Sequence, residues 1–100
     1  MMAQTQEVGT HKTLITQKDD ATMVWYHSTM FVYFDKEDIL LDTGGWKTYT
    51  TKLRMNQTSN QFGLGYYVFQ RDHQWYVDYQ GEIRPFINGS ILLKRGGENA

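Results

Sequence analysis

The residues best suited to chemistry lie between Thr43 and Arg71. This stretch of 29 residues contains four basic side chains and no Asp or Glu, so its formal charge is +4. Cations, hydroxyls and side-chain amides contact phosphates, Asn and Gln can also read base edges, and aromatic rings stack on unpaired bases. The composition therefore predicts a nucleic-acid-binding surface. Its members would be Lys47, Thr51, Lys52, Arg54, Asn56, Gln57, Tyr66, Tyr67 and Arg71, and Phe69 is a further aromatic residue of the type that stacks on bases.

The same stretch also has a purely structural interpretation. Projected at about 100° per residue, Trp46, Tyr49 and Leu53 share one side of a helix. These side chains would then belong to the core, and the polar residues would form the solvated back of an amphipathic helix. The sequence alone favours this interpretation, but the absence of any acid on the helix keeps the binding interpretation open.

The remaining charge is distributed unevenly. Residues 1–42 hold three bases and seven acids, and residues 72–100 hold three bases and four acids. Such asymmetry can mark a face that meets a polyanion, unless folding brings the acidic segments beside the basic one. The densest acidic cluster, Asp35, Glu37 and Asp38, is typical of a solvated loop rather than of a catalytic acid and base.

Catalytic motifs are missing from the sequence. His11, His27 and His73 lie in separate elements and lack the spacing of metal ligands. There is no cysteine, and neither Gly44-Gly45 nor Gly63-Leu64-Gly65 matches a phosphate-binding loop. We therefore expect a protein that is not an enzyme and that holds no metal and no cofactor.

The length of the chain is that of a single domain. A chain of 100 residues can bury about two thirds of its unfolded surface in one core. We predict a globular domain over residues 11–95, a disordered N-terminus over residues 1–10 and a flexible tail over residues 96–100. The lack of cysteine suits a reducing compartment, and no apolar run approaches the roughly 20 residues of a membrane helix. The prediction is a cytoplasmic protein without membrane contact.

The order of the predicted elements indicates an α+β fold. We expect a curved antiparallel sheet or a small open barrel with one helix packed across it, and a compact all-β barrel is the alternative. Pro85 should keep its strand at a sheet edge, and Asn88-Gly89 is a hairpin signal. The pattern predicts strands near residues 11–17, 22–28, 30–34, 39–42, 66–70, 74–79, 82–87 and 91–94, and a helix near residues 48–61 that starts at a threonine cap and ends at Gly63.

The second predicted strand is apolar on both faces. Met23 and Trp25 point to one side, while Val24 and Tyr26 point to the other. Such a strand is either central in its sheet or has its second face covered.

A set of residues between Tyr26 and Val77 forms a recognisable frame. It comprises Tyr26-His27, Thr29, Thr43-Gly44-Gly45-Trp46, Thr48, Thr50-Thr51-Lys52, Arg54-Met55-Asn56-Gln57 and Trp75. With this frame, and above all with the run GGWKTYTTKLRMNQ, the chain resembles a family of small proteins encoded by bacteriophages and other mobile elements. The resemblance covers about half of the chain. Because no catalytic role is assigned to that family, the resemblance implies a source and little chemistry.

Small phage proteins of this size are often host-takeover or anti-defence factors, including inhibitors of CRISPR complexes. The resemblance therefore implies a second hypothesis, an inhibitor that binds a host defence or replication protein through aromatic residues and the acidic region from Asp35 to Asp42. A third hypothesis is a protein that sequesters a small nucleotide signal between protomers. The expected partner is thus nucleic acid or a host protein, and the expected state is a monomer or a homodimer.

Overall fold

The computed structural model describes residues 13–26 and 28–96. Within these ranges the chain forms eight strands and one helix, arranged as two antiparallel sheets that do not close into a barrel. The predicted α+β class is confirmed. The elements are β1 (Thr13–Lys18), β2 (Ala21–Tyr26), β3 (Thr29–Phe34), β4 (Asp38–Asp42), α1 (Tyr49–Phe62), β5 (Tyr66–Arg71), β6 (Gln74–Tyr79), β7 (Glu82–Pro85) and β8 (Ser90–Lys94).

The larger sheet has five strands in the order β1-β2-β3-β4-β8. Its first four strands form a meander, and β2 lies in the interior of the sheet. The pairing register shifts between Val24 and Trp25, and this β-bulge allows both Phe31 and Val32 of β3 to be buried. The bulge turns one additional aromatic side chain toward the core.

The smaller sheet has three strands in the order β5-β6-β7. Asp72 and His73 join β5 to β6 with φ values of 52° and 69°, as a two-residue turn of the primed type requires. Pro85 lies at the end of the edge strand β7, as predicted. The Asn88-Gly89 turn forms, but it closes only an isolated bridge between Ile87 and Ser90. The predicted hairpin is not extended, because β7 pairs with β6 whereas β8 pairs with β4.

Helix α1 has the ends that the sequence predicts. The Thr48 hydroxyl accepts a hydrogen bond from the Thr51 N–H at 3.2 Å, which satisfies one of the free donors of the first turn. Gly63 ends the helix in the left-handed conformation, with φ 66°, and the Leu64 N–H donates to the Ser59 carbonyl at 2.9 Å. These caps define the helix to within one residue of the predicted range.

One core fills the space between the two sheets and the helix. Helix α1 packs against β5 and also contacts β3, and Phe62 of the helix lies 5.0 Å from Phe34 of β3, measured between ring centroids. The larger buried side chains are Val24, Phe31, Val32, Ile39, Leu41, Met55, Tyr66, Val68, Trp75, Val77, Tyr79, Phe86 and Leu93.

The buried face of α1 is not the face that the sequence predicts. The exposed fractions of Trp46, Tyr49 and Leu53 are 51%, 73% and 39%, so the predicted apolar stripe faces solvent. The buried helix residues are instead Thr51, Met55, Thr58 and Ser59. Hydroxyls can be buried here because they are hydrogen-bonded. The Thr58 hydroxyl donates to the Arg54 carbonyl at 2.9 Å, and Ser59 Oγ accepts from the Tyr66 N–H at 3.0 Å.

Some predictions fall outside the described residues. They include the predicted disorder of residues 1–10, the statements about His11 and His27, and the part of the predicted flexible tail that comprises residues 97–100. Within the described part of the chain, no helix is long and apolar enough to span a membrane.

Candidate functional site

Three aromatic rings stack on the outer face of the three-stranded sheet. Because Tyr66 and Val68 of β5 point into the core, Tyr67 and Phe69 point outward, and Phe69 is paired with Tyr76 of β6. The centroids of Tyr67 and Phe69 are 6.2 Å apart with the ring planes at 16°, and those of Phe69 and Tyr76 are 5.6 Å apart at 21°. Tyr67 is 59% exposed. We refer to Tyr67, Phe69 and Tyr76 as the aromatic platform.

A groove between α1 and β5 opens beside this platform. Its volume is about 440 Å³, and Tyr67 and Phe69 belong both to its wall and to the platform. On the helix side, the wall includes the exposed side chains of Tyr49 and Leu53, which the helix orientation turns outward. The groove and the platform are therefore one continuous surface. The lining residues are Tyr49, Lys52, Leu53, Asn56, Tyr67, Val68, Phe69 and Gln70.

Two cations lie where β5 turns into β6. The ammonium group of Lys52 donates to Gln70 Oε1 at 3.1 Å and lies 5.7 Å from the centroid of the Trp75 ring. The guanidinium of Arg71 lies 5.6 Å from the centroid of Phe69. Both contacts have the geometry of cation–π interactions. The positive charge is thus held at one end of the groove and directly against the platform.

One acid borders the platform on its other side. Asp78 of β6 is paired with Tyr67 and shares the outer face of the sheet with it. Its side chain is exposed, so a polyanion that approached from β6 would meet a like charge. The electrostatics favour an anionic ligand along β5 and the groove rather than across β6 and β7.

The other two predicted cations lie elsewhere. The guanidinium of Arg54 stacks over Tyr26 of β2, 4.8 Å from the ring centroid, because residues two positions apart on a helix point in nearly opposite directions. Lys47 lies next to the Asn88-Gly89 turn, because a Cβ atom added to Gly89 would be only 3.8 Å from Lys47 Cε. The structure therefore brings Lys52 to the groove and Arg71 to the platform, and it leaves Arg54 and Lys47 away from both.

Burial removes two predicted binding residues from the surface. Thr51 is 3% exposed and lies at the helix start with its hydroxyl 3.2 Å from that of Thr48. Tyr66 is 4% exposed, and its hydroxyl donates to the Met55 carbonyl at 2.7 Å. Burial raises the pKa of Tyr66 well above its usual range. Their predicted location on the binding surface is corrected, because both side chains stabilise the contact between α1 and the core.

The two predicted amides have different surroundings. Asn56 lines the groove, but its amide is bound to the backbone of Val68 through two hydrogen bonds. Gln57 is half-buried on α1, and its Oε1 atom is shielded from solvent without a hydrogen-bond partner among the described residues. Neither amide is presented to a ligand in the way that the sequence predicts.

The platform residue Tyr76 was not among the predicted binding residues, and Phe69 was named only as an aromatic residue of the stacking type. The sequence contains the signal for Tyr76, because a two-residue turn at Asp72-His73 places Phe69 opposite Tyr76. Alternation along β5 then assigns Tyr67 and Phe69 to the same face. The two rules together would have located the platform.

The acidic residues where β3 turns into β4 are engaged in contacts of the turn and its neighbouring strands. Asp35 accepts hydrogen bonds from the Tyr33 hydroxyl at 2.7 Å and from the N–H groups of Glu37 and Asp38 at 2.8 Å. These bonds lower the pKa of Asp35, with the Tyr33 bond as the largest cause, and the same bond raises the pKa of Tyr33. The Lys94 ammonium lies 2.9 Å from Asp38, and this partner raises the pKa of Lys94.

Among residues 13–26 and 28–96, no group of three or more His, Asp or Glu side chains could hold a metal ion.

The fold and this surface define a small α+β domain with two open sheets and an exposed aromatic platform. A family model described as Kyanoviridae Gp96 protein matches residues 1–93. The chain therefore belongs to this family of phage proteins, which agrees with the phage source implied by the resemblance. No curated protein and no solved structure matches the chain.

Proposed function

We propose that this phage protein is an accessory factor that binds single-stranded nucleic acid on the aromatic platform and in the adjoining groove, inside the infected host cell. The observation that carries the proposal is the outward stack of Tyr67, Phe69 and Tyr76, with Arg71 against Phe69 and Lys52 in the wall of the adjoining groove. Exposed aromatic rings on a sheet, bordered by cations, are a recurrent means of binding unpaired bases. Binding by stacking and ion pairing requires no catalytic group, and the proposal is therefore for a protein that is not an enzyme.

The proposal favours single strands over duplexes for a geometric reason. Bases in a duplex are stacked on each other and do not offer a free face to a ring on a flat sheet. Unpaired bases do offer such a face, and stacking on an aromatic side chain contributes about 1–3 kcal/mol per base. Affinity should therefore come mainly from stacking, with little dependence on sequence.

Charge should contribute a smaller share. Two phosphate contacts, at Lys52 and Arg71, correspond to a slope of about −1.4 in log K against log salt for a single strand. A rise from about 50 to about 200 mM salt would then weaken binding about sevenfold. A surface that used all four cations of the central segment would have about twice that slope.

Fluorescence polarisation with labelled single-stranded and duplex oligonucleotides tests the proposal. Tyr67→Ala should weaken single-strand binding about 5- to 150-fold, which corresponds to the loss of about 1–3 kcal/mol of stacking. Tyr67→Phe keeps the ring and should bind like the wild type. Trp46→Ala is the matched control, because Trp46 is a similarly exposed aromatic residue that does not line the groove.

The outcomes separate the hypotheses. If Tyr67→Ala weakens single-strand binding and Trp46→Ala does not, the result supports binding on the aromatic platform. Equal losses for Tyr67→Ala and Trp46→Ala would contradict it, and so would a preference for duplex. If the wild type binds no oligonucleotide, the proposal fails, and a protein partner on the same surface becomes the hypothesis to pursue.

A further inference from the structure

The outer face of the five-stranded sheet is apolar. It follows from the register that Met23, Tyr33, Leu40 and Leu92 form one row across four strands, and that Leu14, Trp25 and Met30 form a second row. Leu14 and Leu92 are 56% and 51% exposed, and the other five side chains are partly exposed. We refer to these seven residues as the apolar outer face.

This face is separate from the core and from the proposed binding surface. The helix packs on the opposite side of the same sheet, where Phe62 meets Phe34, and the three-stranded sheet contributes to the core on that side as well. The apolar faces of β2 predicted either a central position in the sheet or a covered second face, and β2 is central. Among the described residues, no helix or second sheet layer covers that second face.

Charged residues lie only at the ends of the strands on this face. The alternation along the strands places four charged residues on this face, namely Lys18, Asp38, Asp42 and Lys94. The ammonium group of Lys94 is 2.9 Å from the Asp38 carboxylate. The centre contains two methionines, a tryptophan, a tyrosine and three leucines, together with Thr16, whose hydroxyl accepts a hydrogen bond from Trp25 Nε1 at 3.0 Å. An apolar centre rich in aromatic residues and methionine, with a polar rim of both signs, is the composition of a protein–protein interface.

We propose that a second copy of this chain covers the apolar outer face, so that the protein is a homodimer with the two five-stranded sheets packed face to face. Two sheets that pack in this way bury their facing side chains in a layer about 10 Å thick. A twofold axis brings the same patch from both copies together, which sets apolar rows against apolar rows without burying an unpaired charge.

The size of the face agrees with a modest dimer. Five strands about 4.8 Å apart, each five or six residues long at about 3.3 Å per residue, give a flat area of roughly 450 Å². This is within the roughly 300–600 Å² of the largest apolar patches on monomers, which are often functional. Two such faces together with their rims reach the lower end of specific interfaces, near 1,200 Å². We therefore expect a dimer that dissociates on dilution.

Charge and composition argue for a second copy over two other occupants. The formal charge of the chain is −1, so two copies repel each other little, whereas a strongly charged partner would find no opposite charge in the centre of the face. The segment before β1 is also poorly suited. Residues 1–12 hold only four apolar side chains, namely Met1, Met2, Ala3 and Val8, which are too few to cover seven.

Sedimentation velocity of the full chain over a concentration series tests the dimer. The wild type should shift from monomer to dimer as its concentration rises, and Leu14→Glu/Leu92→Glu should remain monomeric. Both leucines are more than half exposed, so this variant should still fold, which circular dichroism verifies. Ile83→Glu/Ile87→Glu is the matched control. It changes two equally exposed aliphatic residues outside this face and should dimerise like the wild type.

A second measurement locates the interface. Because the chain has no cysteine, Leu40→Cys introduces a unique thiol near the centre of the face, and a short bis-maleimide should link two copies through it. Ile83→Cys should not be linked. A wild type that stays monomeric at every concentration would overturn the proposal. Equal dissociation of the two double variants would also overturn it, because the interface would then lie elsewhere.

Discussion

The side-chain amide of Asn56 binds both backbone polar groups of Val68. The Val68 N–H donates to Asn56 Oδ1 at 2.7 Å, and Asn56 Nδ2 donates to the Val68 carbonyl at 2.9 Å. One side chain thus takes the place of a neighbouring strand at the edge of β5 that faces the helix. These two hydrogen bonds fix the distance between α1 and β5 and therefore the width of the groove.

Asn56→Ala should destabilise the protein. Val68 is 1% exposed, so the change leaves a buried N–H and a buried carbonyl without their partner, and each such group costs about 1–3 kcal/mol. Because water can reach part of the groove, we expect a loss near the lower end, about 2 kcal/mol in all. Urea denaturation measures it. Asn60→Ala, at an exposed position on the same helix, is the control, and an equal effect of the two changes would show that the Asn56–Val68 hydrogen bonds do not stabilise the fold.

Tyr66→Phe should reduce stability without changing nucleic-acid affinity. The change removes the buried hydrogen bond from the Tyr66 hydroxyl to the Met55 carbonyl, which contributes about 0.5–1.5 kcal/mol. The ring remains in the core, and the platform is untouched. Thermal denaturation and fluorescence polarisation on the same sample check both parts. A loss of affinity in a folded Tyr66→Phe protein would mean that the hydroxyl takes part in binding.

The turn between β3 and β4 should make stability depend on pH in the acid range. Hydrogen bonds from Tyr33 and from two backbone N–H groups lower the pKa of Asp35 in the folded protein. A lowered folded pKa means that the stabilisation is present above the unfolded value, about 3.9, and is lost as the pH falls through the lower folded value.

Asp35→Asn should therefore lower the melting temperature at neutral pH, and the difference from the wild type should shrink as the pH falls below about 4. Melting curves of both proteins between neutral pH and the acid limit provide the measurement. Asp19→Asn, at an exposed turn position, provides the control. A difference that stays constant with pH would show that the Asp35 carboxylate is not linked to folding in this way.

Asp78→Asn should strengthen the binding of single strands. Asp78 is paired with Tyr67 on the platform side of the sheet, so its charge opposes a nearby phosphate by up to about 1 kcal/mol at short range in water. We expect a gain of a few-fold at low salt that fades as salt screens the charge. The comparison is with Asp19→Asn, which removes the same charge from a turn of the other sheet. Unchanged affinity for Asp78→Asn would place the ligand away from β6.

The sequence predicted most element boundaries because turns and caps mark them chemically. Thr48 and Gly63 mark α1, and pairs such as Asp72-His73 mark the strands, since each needs a local backbone that few residues adopt. The strand pattern also gave a central position in the sheet as one of two explanations for the two apolar faces of β2. These features are determined by residues that are close together in the sequence, and they can therefore be predicted from it.

The candidate site was harder to predict because it depends on the rotation of the helix. A search for apolar spacing selected Trp46, Tyr49 and Leu53, whereas the helix buries Met55 with small hydroxyl residues that find hydrogen bonds. That rotation turns Lys52 toward the groove and Arg54 away from it. Hydroxyl burial depends on partners far away in the chain, and no local pattern reveals those partners.

The most direct test of the central claim compares two double variants that remove the same charge from the same segment. Lys52→Gln/Arg71→Gln removes the cations at the groove and at the platform, and Lys47→Gln/Arg54→Gln removes two cations that lie away from both. Polarisation binding of a labelled single strand at about 50 and 200 mM salt gives the affinity and its salt slope. We predict that the first variant binds more weakly than the wild type at the lower salt concentration and shows almost no salt dependence, whereas the second keeps the wild-type affinity and slope. Equal losses in both folded variants, or a wild type that does not bind, would contradict a nucleic-acid surface at the platform and groove.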